Sequence, residues 1–547
     1  MPPQSRPGVG TIAALASTTL ISISLFIYRR RRCQTAKSSN KLDNDDLPYP
    51  PTPSNRNWLF GHALSLQPLP DQPKASHDLI FLHWIQKLKS KVVMFELPLL
   101  GRMIVIGDAQ IAKYVLQNSS TFHKSPTYRV ITPLVGKKSL VATEGKEWSS
   151  QRRLYNPGFS PEFLKGIVGT IVEKCDRFVA RCDNDIENEN STNMLDRAID
   201  LTSDVIAQVA FGEDWGMDDD DVDCSDGDSF KYGSQTLRTI RDLTVMVGEN
   251  MKNPLQRYFD FKSMWKTWRL SVALDRDMQC LVQRRLESLR MQQHDTSTGA
   301  SQQKDILSLT LSSVLHSKQN LDPTKPMHLS HDDIENMTSQ LKTFYFAGHD
   351  TTATTIAWAY WLLVQHPDCL KRARDEVVAS LGKSWVDDAV SGNKLGATTY
   401  ELLQHCTYLD AVSRETLRLY PPAASTRYAT DHGASCGGFL LGDSIVHLNF
   451  YAIQRDPDFW EDCDSFVPER FLGDAGKKLT SSFSFLPFSK GSRDCIGKYF
   501  ALLETKIALA ALICRYDGIA VDPNEVYTTR LTSIPDGGCR VKLRHRS

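Results

Sequence analysis

The sequence predicts a mainly α-helical protein with small β-sheets, an α+β chain. Two observations predict this. From about residue 148 to residue 380 the apolar residues recur mostly at helical spacing, and an earlier pair of short runs, 92–97 and 103–106 around Gly101, reads as a β-hairpin. A length of 547 residues exceeds the usual domain of about 100–200, yet no linker divides the chain after residue 53, so residues 54–547 read as one large domain.

The elements follow in order. Residues 11–28 (TIAALASTTLISISLFIY) carry no charge. As a helix they would span roughly 27 Å, enough for a bilayer core. Arg29, Arg30, Arg31 and Arg32 follow at once, whereas Arg6 is the only basic residue before the segment. The positive-inside rule then places everything after Arg32 in the cytosol. A cleaved leader would carry its charge before the apolar run, the reverse of this order. Residues 1–32 therefore read as a single-pass membrane anchor. Residues 33–53 read as a polar and Pro-rich linker, stiffened by Pro48, Pro50, Pro51 and Pro53.

After the hairpin, residues 108–117 read as a short helix. An acidic stretch, 218–228, and a polar stretch, 292–305, read as solvated loops. One helix stands out. Ser330 with Asp333 forms a capping box and Pro367 marks the end, with about 35 residues between them, or roughly 50 Å. From residue 353 to 364 it is apolar nearly all round and must be buried.

Composition excludes several classes. Lys+Arg and Asp+Glu each count 64, and such a neutral balance argues against a general nucleic-acid binder. A mean hydropathy of −0.32 excludes a polytopic membrane protein but allows one anchor. The 12 cysteines show no CxxC pair and no zinc spacing, which favours a reducing compartment.

The chemistry lies near the C-terminus, in FLPFSKGSRDCIGKYFA. Gly491 and Gly497 permit a tight turn and close approach to a flat group. Phe488 supplies a ring beside that group, and Arg493 can neutralise a carboxylate. Cys495 sits at the start of an apolar helix, where free N–H groups favour thiolate. A thiolate fixed against a flat, carboxylate-bearing ligand is the axial-ligand arrangement for haem iron.

The segment resembles the haem-binding signature of the cytochrome P-450 superfamily, FxxGxRxCxG, at every fixed position. Three further motifs resemble the family's and stand in its order. Ala347-Gly348-His349-Asp350-Thr351-Thr352 resembles the oxygen-activation motif, Glu415-Thr416-Leu417-Arg418 the ExxR motif, and Phe466–Phe471 the PERF segment. Ala347 and Thr351, four apart, share a helix face, and Gly348 tolerates a local opening of the helix. Asp350 can feed protons inward from solvent. The resemblance implies that Arg470 completes a structural cluster with Glu415 and Arg418. Trp148 and Arg152 look like the family's WxxxR, and Arg427 sits where the family often places another basic residue. These imply propionate partners.

The resemblance covers about residues 46–547. It implies the cytochrome P-450 fold, with a long central helix over haem b and the axial thiolate of Cys495. It implies a haem-thiolate monooxygenase of the eukaryotic microsomal type, on the endoplasmic reticulum membrane with its catalytic domain cytosolic. Thr351 and Asp350 would manage the protons that O–O cleavage needs. No dinucleotide motif, flavin domain or Fe–S cysteine run is present, so electrons come from outside, by family analogy from an NADPH–cytochrome reductase, with cytochrome b5 as a second candidate donor. Lys490, Arg493 and Lys498 offer a basic docking rim. The expected partners are thus that reductase, O2, membrane lipid and a lipophilic small molecule, plausibly of secondary metabolism. By family position the pocket is lined from residues 122–140, 236–258, 344–347, 422–426 and 532–535. Two alternatives stay open: a haem-thiolate enzyme that rearranges peroxides without O2, and a non-catalytic haem or lipid carrier.

Overall fold

The computed structural model describes residues 47–57, 61–66, 76–97, 100–215, 227–252, 260–294, 305–321 and 329–546. The expected anchor, residues 11–28, lies outside the described residues. Among the described residues no helix is long and apolar enough to cross a membrane.

The expected hairpin forms between β1 (Val92–Leu97) and β2 (Gly101–Ile106), with Gly101 at φ +80° where the chain reverses. Its apolar face packs on α1 (His77–Leu88), where Phe81, Trp84 and Phe95 have ring centroids 5.3–5.6 Å apart. The helix expected over 108–117 is α2 (Ala109–Gln117), capped by the Asp108 carboxylate. Three later strands complete this sheet: β3 (Phe122–Lys124), β4 (Ser425–Ala429) and β5 (Ser444–Leu448). The order is β1-β2-β5-β4-β3, and only the β2–β5 pairing is parallel. The Pro-rich stretch is docked on the folded body rather than free. The Pro51 carbonyl accepts from Met94 N–H, and the Pro48 carbonyl from Leu440 N–H.

The helical part begins with the short α3 (Thr132–Val135), then α4 (Gly145–Tyr155), α5 (Pro161–Glu187) and α6 (Met194–Ile206). After them come α7 (Gly227–Lys252) and α8 (Phe261–His294). Much of the acidic and polar stretches lies outside the described residues, but their ends do not form loops. Asp228 belongs to α7 and Gln292 to α8. Asp305 is buried, because its carboxylate accepts from the N–H and hydroxyl of Ser308 at the start of the next helix.

The long helix is α9 (His331–Gln365), with both halves of the Ser330–Asp333 capping box in place. Every residue from Thr352 to Leu363 is buried, as an all-round apolar helix requires. It packs against α6, α8, α10 (Thr407–Leu419) and α11 (Lys498–Arg515). Polar bonds fix its register. Thr202 donates to the His349 carbonyl at 2.8 Å, Tyr345 to Ser203 at 3.0 Å, and Thr343 to the Val135 carbonyl at 3.0 Å. Near the C-terminus a last hairpin, β6 (Tyr527–Thr529) and β7 (Ser533–Pro535), returns to this helix.

Trp358 anchors the buried half of α9. It is fully buried and stacked on Tyr420, with centroids 3.8 Å apart and planes within 5°. Replacing it with Ala removes a large ring from a packed interior. Trp358→Ala is expected to cost about 3–5 kcal/mol, read as a lower urea midpoint, with Trp358→Phe costing clearly less.

Candidate cofactor and active site

The chain between Phe485 and Gly497 forms a loop closed on itself. Cys495 N–H donates to the Phe488 carbonyl at 2.9 Å, and Ser489 N–H to the Leu486 carbonyl at 2.8 Å. Gly491 has φ +82°, and a Cβ there would sit 2.9 Å from the Leu116 carbonyl oxygen, so the tight turn and the close approach both require glycine. Gly497 differs from expectation. Its φ of −87° suits any residue, and its missing Cβ faces only the ring of Phe159 at 3.8 Å.

Cys495 lies deep in the protein and still keeps accessible surface, so it borders an internal space. Burial pushes its thiol above the ordinary value, against a hydrogen bond from Gly497 and the charges of Arg152 and Lys498. The helix start alone therefore does not yield the expected thiolate, and a bound cation would have to supply the rest. On α9, Ala347 is exposed between half-buried Phe346 and Gly348 in an otherwise buried stretch, so this helix too borders an internal space at that turn.

The loop is held from behind by the three charges expected from ExxR and PERF. Arg418 donates to Glu415 through Nε at 2.7 Å and Nη2 at 2.8 Å, and Arg470 Nε approaches the same carboxylate at 3.5 Å. Both Glu415 and Arg418 have zero exposure.

In front of the loop, cations gather. Arg493 stacks on Trp148 at 4.1 Å and donates to the Thr143 carbonyl at 2.8 Å, while its other terminal nitrogen, Nη1, is buried without a partner. Arg427 is buried on β4, directly opposite Lys124 on β3. Like charges opposed across antiparallel strands destabilise a sheet unless an anion joins them. Tyr128 lies beside them, with the Lys124 ammonium 4.3 Å from its ring centroid. Burial pushes Lys124 down to about 8, helped by Arg427 and Arg493 and opposed by Tyr128. Burial works to raise Tyr128, but Lys124, Arg427 and bonds with Thr426 outweigh it and bring it to about 7. Burial likewise lowers Arg493 to about 10. This excess of cations suits a ligand carrying two carboxylates. Lys124 and Tyr128 escape sequence reasoning, because no motif marks them and only the strand pairing brings them to Arg427 and Arg493.

Arg152 is arranged differently from expectation. It donates to the Asp494 carbonyl at 2.8 Å and to its carboxylate at 3.1 Å, so it braces the residue before Cys495. Around Ala347 the helix runs without a break. The Thr351 hydroxyl donates to the Ala347 carbonyl at 2.8 Å, the usual resting bond of a helical threonine. Gly348 serves packing, since a Cβ there would press on Ile206 of α6 at 3.1 Å. The Asp350 carboxylate accepts from the Thr532 hydroxyl, in the turn between β6 and β7.

With this geometry in view, the comparisons with known proteins agree with one another. The sequence model of the family described as "Cytochrome P450" matches residues 50–533. The chain is similar to "Cytochrome P450 734A6" of Oryza sativa subsp. japonica, 26% identical over 473 residues, 83% of this chain and 80% of that one. It is similar to "Secologanin synthase 1" of Catharanthus roseus, 28% identical over 457 residues, 81% of this chain and 79% of that one. Its fold is that of a solved structure described as cytochrome P450DA heme domain, with TM-score 0.71 and 21% identity over 92% of this chain and 98% of the other.

The cation cluster gives ligand binding a definite pH sense. A dianion favours the Lys124 ammonium and disfavours the Tyr128 phenolate, so both groups take up protons when it binds. Both pKa values start low, near 8 and 7. Affinity for haem is thus full below these values and falls as pH rises through them. Transfer of haem to apomyoglobin is expected to be about tenfold more favourable at pH 9 than at pH 7, with Lys124→Met flattening the profile.

Proposed function

The chain belongs to the cytochrome P450 family and is a monooxygenase, and from that premise we propose a membrane-anchored enzyme that inserts one oxygen atom of O2 into a lipophilic small molecule. Residues 1–32 form the anchor, 33–53 the linker and 54–547 the catalytic domain, on the cytosolic side of the endoplasmic reticulum. Electrons come from an NADPH–cytochrome reductase, with cytochrome b5 as an accessory donor. The balance is R–H + O2 + NADPH + H⁺ → R–OH + H2O + NADP⁺. The likeness to a secologanin synthase supports a substrate from secondary metabolism.

The family and its fold carry haem b on a cysteine thiolate, and this chain's residues fit it. The observation that carries the reading is Cys495, which keeps accessible surface deep inside the protein and whose thiol pKa burial raises despite the Gly497 hydrogen bond and the charges of Arg152 and Lys498, so that a bound cation would complete the thiolate. Cys495 would ligate the iron. The unpaired nitrogen of Arg493, with Arg427, Lys124 and Trp148, would take the propionates. When bound, the haem supplies O2 activation and oxygen transfer.

The chain's own residues manage protons and water. Thr351 would turn its hydroxyl from the Ala347 carbonyl toward the internal space beside α9, and Asp350 would pass protons from solvent. Phe488, Gly491 and Gly497 border the ligand face on the cysteine side. Glu415, Arg418 and Arg470 act structurally, holding the cysteine loop through the irregular segment 465–467 and Gln454.

The test is a carbon monoxide difference spectrum of the reduced protein in membranes. A strongly red-shifted Soret band is expected, and Cys495→Ala should lose it while folding normally. A band typical of a histidine ligand would refute the assignment of Cys495. In reconstituted turnover, Thr351→Ala should shift consumed NADPH from product toward hydrogen peroxide by roughly tenfold or more, within the roughly 10²–10⁴-fold that positioned proton transfer typically contributes. Unchanged product yield would refute the role of Thr351.

A further inference from the structure

The turn between β6 and β7 joins three parts of the molecule. Its backbone touches α7, where a Cβ on Gly248 would stand 3.5 Å from Arg530 and Leu531. Ser533 N–H donates to the Pro422 carbonyl at 2.8 Å, tying the turn to the segment after α10. Thr532, buried in the same turn, donates its hydroxyl to the Asp350 carboxylate. The backbone around Asp350 is fixed from elsewhere. The His349 carbonyl accepts from Thr202 at 2.8 Å, and the His349 ring is tied to the Tyr345 carbonyl at 2.8 Å. Among the described residues no ion pair holds Asp350, so the hydroxyl of Thr532 sets where its carboxylate points.

We propose that Thr532 is a positioning residue for Asp350, holding the acid of the proton route against a turn that also contacts α7. The inference rests on the monooxygenase reading. A carboxylate aimed by one hydroxyl delivers protons from one direction. Without that hydroxyl it rotates freely, and proton delivery slows. Because the aiming group belongs to a turn braced by α7 and by Pro422, a shift of either wall changes where the acid points.

The failure mode can be read without knowing the substrate. With reductase and NADPH alone, electrons leave either as peroxide, O2 + NADPH + H⁺ → H2O2 + NADP⁺, or as water, O2 + 2 NADPH + 2 H⁺ → 2 H2O + 2 NADP⁺. Slower proton delivery favours the first.

The test takes the full chain in four forms: parent, Thr532→Val, Thr532→Ser and Asp350→Ala, together with the Val–Ala double variant. Thermal melting first reports the bond itself. Thr532→Val and Asp350→Ala should each lower the melting temperature, and the double variant should lose less than the sum of the two single losses. Additive losses would overturn the proposal. The share of consumed NADPH recovered as peroxide, without added substrate, then reports positioning. It should rise severalfold in Thr532→Val, return toward the parent in Thr532→Ser, and show no further rise when the Val change is added to Asp350→Ala. An unchanged share in Thr532→Val, or a Ser variant no better than Val, would overturn it while leaving the proposed function standing. A parent that oxidises no NADPH with reductase would sink the proposed function, and this inference with it.

Discussion

A guanidinium with zero exposure must spend every N–H on an acceptor, and Arg418 does so. Two of its donors take the Glu415 carboxylate, and the others reach the carbonyls of Gln454, Cys463 and Ser465. Glu415 also accepts from the Val467 N–H at 2.9 Å. One buried ion pair thus gathers α10, the turn at 454 and the segment 463–467 into a unit. The unit continues to the cysteine loop, because the Gln454 side chain donates to the carbonyls of Leu417 and Arg418 and accepts from Leu486 N–H at 2.8 Å. Leu486 opens the loop that ends at Cys495. A buried pair is weak as a source of stability, since desolvation cancels most of its attraction. Its effect here is to fix position: either partner alone would be a stranded charge, so the loop has one acceptable place.

The opposite condition holds on the other side of the loop. Lys124 and Arg427 stand opposite each other, and burial lowers the pKa of both and of Arg493, with the neighbouring cations adding to it for Lys124 and Arg493. Arg418 in the frame spends every N–H, whereas Arg493 keeps a buried nitrogen without a hydrogen-bond partner among the described residues. Binding a dianionic cofactor would offset the burial of these charges, so cofactor capture and the stability of this edge of the sheet would be one event.

The legible part of the sequence was the part whose function needs fixed spacing. The turn at Gly491, the pair Glu415 and Arg418 on one helix face, and the capping box at Ser330 are each set by a few neighbouring residues, so local pattern reveals them. Lys124 and Tyr128 were illegible because their role arises from pairing β3 with β4, some 300 residues away in the chain, and no local pattern announces it. WxxxR implies Arg152 as a propionate partner, whereas its bonds to Asp494 depend on a partner that the motif leaves variable. Gly348 illustrates a third case. Local sequence shows only that glycine tolerates an opening of the helix there, whereas the close approach of Ile206, from a different helix, gives it a packing reason as well.

That last detail constrains how the proton route works. Helix α9 is pinned within and before the Ala347–Thr351 turn: Thr202 donates to the His349 carbonyl, Tyr345 donates to Ser203 and, one turn earlier, Lys342 donates to Asp275 at 2.7 Å. Ile206 fills the groove at Gly348. Opening the helix would break these contacts together, at a cost of several kcal/mol if each is worth about 1 kcal/mol. Rotating Thr351 breaks one hydrogen bond, and rotating Asp350 breaks another. The smaller cost lies with the side chains. On the proposed proton route, control would therefore rest on two rotations over a stationary helix, each governed by a single acceptor or donor, the Ala347 carbonyl for Thr351 and the Thr532 hydroxyl for Asp350.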